Sequence, residues 1–387
     1  MMSISILTRY ILLLLSFLPF SAFSQAMLGY TDMQGDYYVS DSGRIVHLEH
    51  LRVKSSQPAA NSIAYISNTG NLVYYSNHEQ VKLDITNPTF YKNTDHYLYY
   101  STGGSFSVYN GKERKYLGYI QQYPYAFADS IAAVHDYSGY FYTYVNDLFI
   151  ELENQPVLKV IAGDNILAYV NHIGQFKAYY QGNKVDLDDY APITAQAAGS
   201  IIAYIDNYQY MKVYYQGSIH ELFNLPEINC LSTTSSGDPL LASWCNGPVV
   251  TDVQSELPVF QVGDDMVAYI DDMGRFNVFY KGNIVALESQ PPKQYTVVDR
   301  VLYYTDENDY LKVFCNGELS IVETYTPSRI EADGEVLVYM DLDKRLKAFY
   351  LNTSVDVSEN IVLDFSLNNT LLMYSEIPNK YKFYSLE

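Results

Sequence analysis

Apolar and polar positions repeat along this chain, and the clearest copy lies between residues 165 and 188. Residues 166–170 are apolar throughout, which predicts a strand covered on both faces. Residues 176–180 alternate between apolar and polar side chains, which predicts a half-buried strand, and residues 184–187 are short and polar on one side, as is typical of an outer edge strand. The pattern therefore predicts neighbouring antiparallel strands joined by tight turns.

Turn-forming residues recur at fixed places in each copy. Asp206 and Asp271 stand two residues after a strand tyrosine, Gly182 lies in a second turn, and Gly163 opens a third turn before the apolar strand. Three hairpins imply four strands per copy. A proline such as Pro192 separates successive copies, and because proline cannot donate to a strand ladder, it marks where pairing stops.

The spacing of the copies is regular. Tyr169 and Tyr204 are 35 residues apart, and the same interval separates most neighbouring copies. The longer interval from Tyr204 to Tyr269 predicts one decayed copy in between, with 223–239 as an irregular seam, insertion or binding loop. The first copy has no room for a leading strand and the last has no outer strand, so a ring would close if the final copy borrowed a strand from the N-terminal segment.

These four-stranded units with proline linkers resemble the blades of β-propeller proteins in general, over nearly all of residues 25–387. The resemblance implies an all-β propeller of about ten 35-residue, four-stranded blades. Two smaller propellers meeting near Pro226, or an open β-repeat array, are the alternatives. The chain lacks the signatures of WD-repeat, sialidase-like and Kelch propellers, so the resemblance carries architecture and no functional residues.

The N-terminal segment 1–24 has the pattern of a secretory signal peptide, with Arg9 before an apolar run and small residues before Gln25. We therefore expect an exported protein, periplasmic or extracellular, with no membrane span. The formal net charge is −20, which disfavours nucleic acid and anionic membranes as partners. The same charge suits solubility or attraction for a cation or a basic partner.

Cysteine positions suggest one disulfide. Cys230 and Cys245 flank the Gly237-Asp238 turn of the decayed copy and would face each other across adjacent strands. The alternative is two small buried hydrophobic residues. Cys315 has no cysteine opposite and is expected to be a buried free thiol.

The sequence shows no catalytic constellation, since no Gly-x-Ser-x-Gly elbow occurs and the histidines fall at different repeat positions. Strand alternation places His47 and His50 on opposite faces, which argues against a metal site there. His135 and His172 lie near the same hairpins of neighbouring copies and could approach each other.

Acidic and aromatic residues offer the remaining candidates. Five aspartates stand five residues before a strand tyrosine and should share one rim, either as ordinary turn residues or as a calcium-binding rim: Asp95, Asp129, Asp164, Asp264 and Asp299. Turn acids such as Asp206 and Asp271 should project from the opposite rim. Six tyrosines outside the repeat positions are candidates for ligand contact: Tyr123, Tyr125, Tyr137, Tyr190, Tyr208 and Tyr325.

These observations predict an exported, non-catalytic binding or scaffold protein that recognises a protein or glycan partner. A polysaccharide-acting hydrolase or lyase, with its site at the Cys230–Cys245 unit, is the alternative, because propellers also host enzymes. A purely structural role is the third hypothesis. No cofactor other than calcium is suggested.

Overall fold

The computed structural model describes residues 26–119, 124–225, 250–252, 255–378 and 380–386, and in these residues the fold is a closed ring of ten antiparallel sheets. The prediction of one all-β propeller is confirmed, and neither two rings nor an open array is observed. No helix in the described part of the chain is long and apolar enough to cross a membrane. The segment predicted to be a signal peptide lies outside the described residues.

The first five blades follow one another along the chain. Blade 1 contains β1 (Leu28–Thr31), β2 (Tyr37–Asp41) and β3 (Arg44–Glu49). Blade 2 contains β4 (Ser55–Pro58), β5 (Ser62–Ile66), β6 (Asn71–Ser76) and β7 (Glu79–Thr86). Blade 3 contains β8 (Phe90–Asn93), β9 (Leu98–Thr102), β10 (Ser105–Tyr109) and β11 (Arg114–Tyr119). Blade 4 contains β12 (Ala126–Phe127), β13 (Ile131–His135), β14 (Phe141–Val145) and β15 (Leu148–Glu153). Blade 5 contains β16 (Lys159–Ala162), β17 (Ile166–Val170), β18 (Phe176–Tyr180) and β19 (Asn183–Asp188).

The second half repeats this pattern with one interruption. Blade 6 contains β20 (Thr194–Ala198), β21 (Ile201–Ile205), β22 (Tyr210–Tyr215) and β23 (Ser218–Asn224). A separate two-stranded sheet contains β24 (Val250–Asp252) and β25 (Ser255–Pro258). Blade 7 contains β26 (Phe260–Gly263), β27 (Met266–Ile270), β28 (Phe276–Tyr280) and β29 (Asn283–Glu288). Blade 8 contains β30 (Gln294–Val298), β31 (Val301–Thr305), β32 (Leu311–Cys315) and β33 (Glu318–Glu323). Blade 9 contains β34 (Ile330–Asp333), β35 (Val336–Met340), β36 (Leu346–Tyr350) and β37 (Thr353–Asp356), and blade 10 contains β38 (Asp364–Asn368), β39 (Leu371–Ile377) and β40 (Lys380–Ser385).

The core is divided into layers, each of which lies between two neighbouring blades. The apolar strand of the repeat is the second strand of its blade, and in blade 5 all of its side chains are buried. Leu167 and Tyr169 pack against Ile131 and Ala133 of blade 4, whereas Ile166 and Ala168 pack toward blade 6. Consecutive side chains of a strand point to opposite faces, so an unbroken apolar run serves two neighbouring layers at once.

The described residues of the predicted decayed copy form the two-stranded sheet of β24 and β25, which is separate from the sheets of blades 6 and 7. Ile201 and Val213 of blade 6 share a buried cluster with Phe260, Val267 and Tyr269 of blade 7. The sheets of blades 6 and 7 therefore pack directly on one another. Of the predicted seam at 223–239, only residues 223–225 are described, and they belong to blade 6 or follow it directly.

The two ends of the chain meet where the ring closes. Among the described residues, blade 1 has no inner strand and blade 10 has no outer strand, as predicted, and β38–β40 form a sheet of their own. The N-terminal segment that would supply a borrowed strand lies outside the described residues, so the strand exchange stays a prediction. Within the described residues, the contact between the two ends is made by side chains. Tyr30 packs its ring 5.0 Å from that of Tyr381, and the Asn368 amide donates to the carbonyl oxygens of Met27 (2.7 Å) and Ala59 (3.1 Å).

Polar contacts also join neighbouring blades. The Tyr169 hydroxyl donates to the Glu153 carboxylate of the preceding blade at 3.0 Å, and the same pair occurs at Tyr339 and Glu323 at 2.9 Å. Each hydroxyl thus ends on a carboxylate of the neighbouring blade. Burial and the adjacent carboxylate raise the pKa of Tyr169 far above its ordinary value, so this hydroxyl stays protonated and remains a donor.

Candidate functional site

The ring has two rims, and they differ in chemistry. The first rim carries the turns between the first and second strands of each blade and those between the third and fourth. The second rim carries the turns between the second and third strands together with the linkers between blades. A cavity of about 560 Å³ opens among the inner turns of the first rim, and we call it the carboxylate mouth. Its charged lining residues are Asp95, Asp129, Asp164, Asp264, Asp299, Asp333, Glu335, Lys92 and Arg300.

All five aspartates that the repeat places before a strand tyrosine line this mouth. The prediction that they share one rim agrees with the structure, whereas a metal there stays a prediction. Asp333 and Glu335 were not among the expected residues. In blade 9 the repeat position is Gly334, and its acidic neighbours Asp333 and Glu335 reach the mouth instead. The Asp333-Gly334-Glu335 turn was visible in the sequence, but a fixed-position criterion missed it.

Backbone hydrogen bonds between neighbouring turns hold the mouth together. The amide of Asn165 donates to the carbonyl of Gly199 at 2.9 Å, and the amide of Arg300 donates to the carbonyl of Gly334 at 3.1 Å. Each bond joins one blade's inner turn to the next. These bonds bring residues of successive repeats into contact at the mouth.

Several of the carboxylates also join blades through their own side chains. Asp95 accepts from the Ala60 amide at 2.6 Å, Asp299 accepts from the Gly334 amide at 2.8 Å, and Asp333 accepts from the Asn369 amide at 2.9 Å. These hydrogen bonds explain on structural grounds why aspartate recurs at these turns. The bonds occupy some of the carboxylate oxygens, but the negative charge of each carboxylate stays at the mouth.

The electrostatics of the mouth are those of crowded like charges. Burial raises the pKa of Asp264 to about 6, and the charges of Asp164 and Asp299 add to this rise, while Arg300 opposes it. Burial also raises the pKa of Asp333 to about 6, with a further contribution from Asp299. The pKa of Asp164 is raised by burial and then by Asp129 and Asp299. The positive charges of Lys92 and Arg300 therefore do not balance the negative charges of the ionised carboxylates.

The carboxylate mouth does not have the compact geometry of a single-ion site. Among the described residues, no three of its carboxylates bring oxygen atoms within 4.8 Å of one another. Calcium takes 6–8 oxygens at 2.3–2.6 Å, a much tighter arrangement. The turn acids of the second rim are also engaged elsewhere: Asp206 is buried and accepts from the amides of Tyr208 (2.8 Å) and Tyr210 (2.9 Å), so it does not project as expected.

The candidate tyrosines do not form one patch. Tyr137, Tyr190 and Tyr208 are exposed on the second rim, and Tyr190 and Tyr208 lie edge to face with ring centroids 6.4 Å apart. Tyr125 is half exposed and packs against Phe106 at 4.6 Å. Tyr325 is partly buried in a linker near Glu323, and Tyr123 lies outside the described residues.

The histidines give one correction. His47 and His50 were expected on opposite faces, but their ring centroids are 4.4 Å apart, and both rings face Asp36. The strand contains a bulge, which reverses the alternation. His135 is buried, accepts from the Val157 amide at 3.2 Å and has its pKa lowered to about 4 by burial, whereas His172 is exposed in a turn.

The cysteine predictions are tested only in part. Cys315 is a buried free thiol, as predicted, and burial raises its pKa to about 11. Cys230 and Cys245 lie outside the described residues, so their disulfide stays a prediction. The same holds for an enzyme site at that unit.

Comparisons with known proteins agree with this architecture. A family model described as "10-bladed beta propeller domain" matches residues 19–133, 117–227 and 245–386. No curated protein matches the chain. The solved structures similar to it include the computationally designed Ika8 protein (11% identity, 94% of this chain and 100% of that one, TM-score 0.36), the tricorn protease (12%, 92% and 45%, TM-score 0.30) and BamB from Moraxella catarrhalis (10%, 77% and 96%, TM-score 0.31).

Proposed function

Because the chain belongs to the family of the 10-bladed beta propeller domain, we propose that it is an exported, non-catalytic binding protein whose carboxylate mouth takes a positively charged segment of a protein partner. The signal-like pattern at residues 1–24 supports export, to the periplasm or the cell exterior. The formal net charge of −20 supports a basic partner, because it steers cationic molecules toward the protein.

The observation that carries this proposal is the charge imbalance of the mouth. Seven carboxylates and two cations line one cavity, and the pKa values of Asp264 and Asp333 are raised to about 6. A bound cationic group favours the ionised form of each carboxylate. Binding is therefore expected to be favourable at neutral pH, to weaken as the pH falls through 6, and to release protons near that pH.

The size of the mouth favours cationic side chains over a single metal ion. Its volume is about 560 Å³, far more than one coordination shell needs, and the carboxylates are spread around it. Lysine and arginine side chains can reach several such carboxylates from one extended segment. Each charge-assisted hydrogen bond then contributes both affinity and orientation.

The lining also favours a peptide over a glycan. Sugars are commonly held on exposed aromatic faces, and Tyr350 is the one aromatic residue among the described residues that line the mouth. An acidic cavity also repels acidic polysaccharides. A glycan partner would therefore have to use the tyrosines of the second rim, where Tyr190 and Tyr208 form a small exposed pair.

The test uses the mature chain and a fluorescent lysine-rich peptide, with binding measured by anisotropy at pH 7.5. The mouth variant carries Asp264→Asn, Asp299→Asn and Asp333→Asn, which keep the size of each side chain and remove its charge. The control variant carries Asp189→Asn, Asp272→Asn and Asp343→Asn, three exposed acids of the second rim. Both variants change the net charge equally, so the comparison distinguishes binding at the carboxylate mouth from attraction by the net charge of the protein.

We expect the mouth variant to lose at least tenfold in affinity and the control variant to lose less than twofold. The wild-type affinity should also fall at pH 5, where Asp264 and Asp333 become protonated. Equal losses in the two variants would show that only net charge matters. In that case the carboxylate mouth would not be the binding site.

An enzyme acting on polysaccharide is the second candidate, and one observation favours it. A carboxyl group with a pKa near 6 is suited to donate a proton at neutral pH, and both Asp264 and Asp333 have this property. The test is release of reducing ends or unsaturated products from neutral and basic polysaccharides. Activity lost in Asp264→Asn or Asp333→Asn would support this candidate over the binding role.

A further inference from the structure

Blade 1 brings two histidines and an aspartate together on the second rim, away from the carboxylate mouth. The Nε2 atom of His47 lies 3.8 Å from Asp36 Oδ2, and the Nδ1 atom of His50 lies 3.9 Å from Asp36 Oδ1. All three ligand atoms lie within 4.8 Å of one another. Among the described residues, no other group of three histidine, cysteine or acidic side chains meets this criterion.

A β-bulge produces this convergence. In the pairing of β2 with β3, Tyr37 lies opposite Glu49 but Tyr38 lies opposite His47, so Leu48 is an extra residue on β3. A bulge shifts the alternation of side chains by one position. His47 and His50 consequently share a face, and Asp36, which directly precedes β2, lies across from His50.

The turn before β2 holds Asp36 in place. Its backbone amide donates to the Asp32 carboxylate at 2.9 Å, and its carbonyl accepts from the Asp32 amide at 3.0 Å. These bonds fix the backbone and leave the Asp36 carboxylate pointing at the two imidazoles. The His47 ring also packs against Tyr38 with centroids 5.0 Å apart, which limits its orientations. The donor set is therefore partly preorganised.

The chemistry of the donors is that of a transition-metal site. Two neutral imidazole nitrogens and one carboxylate oxygen are the ligands of many zinc centres that keep a water in the fourth position. Donors bound to one tetrahedral zinc lie roughly 3.3 Å apart, so the two histidine–aspartate separations need to close by about 0.5 Å and the separation of the two histidine nitrogens by at most about 1.5 Å. Within the described residues, no lysine or arginine forms an ion pair with Asp36 that would compete with a metal.

The repeat itself provides an internal comparison. The position of Asp36 is held by Gln175 in blade 5 and Arg275 in blade 7. Other blades hold residues other than histidine at the position of His47: Lys82, Glu151, Asp186, Glu221, Ala286, Ile321 and Asp356. Three residues after these positions come Ile85, Asn154, Asp189, Asn224, Ser289, Thr324 and Glu359, where blade 1 has His50. Blade 1 thus departs from its sister blades at all three positions that meet in space.

We propose that Asp36, His47 and His50 bind one divalent transition-metal ion of the zinc class, with solvent in the remaining position. His50 is largely exposed, so the ion can reach the site without opening the fold. The site lies on the rim opposite the carboxylate mouth and uses two imidazole nitrogens beside its one carboxylate. It therefore differs from the mouth both in place and in the cation it selects.

The first experiment is a zinc titration of the tag-free mature chain by calorimetry, followed by cobalt substitution and visible absorption. We expect one zinc per chain and a cobalt spectrum of a four- or five-coordinate N/O site. We expect the affinity for zinc to fall at least tenfold in each of His47→Ala, His50→Ala and Asp36→Asn. His172→Ala, which removes another exposed histidine of the second rim, should leave zinc affinity within twofold.

Two controls keep the outcome decisive. Far-UV circular dichroism spectra and thermal unfolding curves of the metal-free variants should match those of the wild type, because the three side chains are at the surface. If one variant fails to fold, the other two still test the site. The mouth variant (Asp264→Asn, Asp299→Asn, Asp333→Asn) should retain zinc binding, which separates this site from the proposed function. Zinc binding that survives in His47→Ala and His50→Ala, or no binding by the wild type, would overturn the proposal.

Discussion

Tyr339 on the second strand of blade 9 donates its hydroxyl hydrogen bond to Glu323 on the outer strand of blade 8, at 2.9 Å. Lys347 completes the group by donating to the same carboxylate at 2.7 Å. The arrangement is repeated one blade earlier, where Glu288 accepts from Tyr304 (2.8 Å) and Lys312 (2.6 Å). A repeated polar link of this kind ties the blades together where the apolar layers end.

Tyr339→Phe should lower the free energy of unfolding by about 1–2 kcal/mol, because it deletes a buried hydrogen bond to a carboxylate without creating a large cavity. Urea unfolding at pH 7 measures this. Tyr208→Phe is the control, since Tyr208 is 63% exposed, and it should change stability by less than about 0.5 kcal/mol. Equal effects of the two substitutions would mean that the inter-blade link contributes nothing.

Asp264→Asn should stabilise the protein at pH 7 by about 1–3 kcal/mol and have little effect at pH 4. Burial and like charges raise the pKa of Asp264 from 3.8 to about 6 in the folded state, so the folded protein binds more protons than the unfolded chain between these values. Wild-type stability therefore falls as the pH rises from about 4 to 6, and this loss is complete above pH 6.

Melting temperatures of wild type and Asp264→Asn across pH 4 to 8 measure this effect. The difference between the two should grow through pH 5–6 and then stay constant. Asp272→Asn, at an exposed turn of the second rim, should show no such growth. A constant difference at all pH values would contradict the assignment of a raised pKa to Asp264.

Gly163→Ala should destabilise the ring by about 1–3 kcal/mol through overpacking between blades. A Cβ at this position would lie 2.7 Å from the carbonyl carbon of Ala198 and 2.9 Å from the carbonyl oxygen of Gly199, and both are backbone atoms that cannot move alone. Thermal or urea unfolding tests this expectation.

The control for Gly163 is Gly182→Asn. Gly182 has φ +84° with open space around it, and Asn352 adopts φ 58° at the equivalent position of blade 9. Asparagine tolerates this left-handed conformation, so Gly182→Asn should lower the free energy of unfolding much less than Gly163→Ala does. A larger loss at Gly182 than at Gly163 would contradict the close-approach explanation.

The Cys315 thiol should resist modification in the folded protein. Burial raises its pKa to about 11, so roughly 0.1% is thiolate at pH 8, and the side chain is 4% exposed. In a chain carrying Cys230→Ser and Cys245→Ser, a thiol-specific chromogenic reagent should report no reactive thiol when native and one in urea. Rapid native reaction would place Cys315 at the surface.

Local chemistry made the blades predictable. The apolar run 166–170 and the alternating run 176–180 gave correct strands because side-chain alternation is a property of the strand itself. The aspartates before each strand tyrosine were assigned to one rim for the same reason, since a fixed repeat position maps to a fixed place on every blade. Asp333 was missed because it departs from that position by one residue.

The alternation rule failed where the backbone departed from regular pairing. His47 and His50 share a face because Leu48 is bulged, and nothing in the apolar pattern of residues 44–49 marks that extra residue. Likewise, the long interval from Tyr204 to Tyr269 suggested another copy of the repeat, although blade 6 packs directly on blade 7. Both errors concern register and neighbour choice rather than strand formation.

The sequence by itself determined the repeating strands, their turns and the two chemically distinct rims, because these follow from interactions between residues close along the chain. Only the tertiary structure decided that the blades number ten, that Asn368 reaches Met27 to close the ring, and that Asp264 and Asp333 share one cavity. These outcomes depend on the angle at which each sheet packs on the next. The number of blades that closes the ring depends on the sum of these packing angles, and no short stretch of sequence determines that sum.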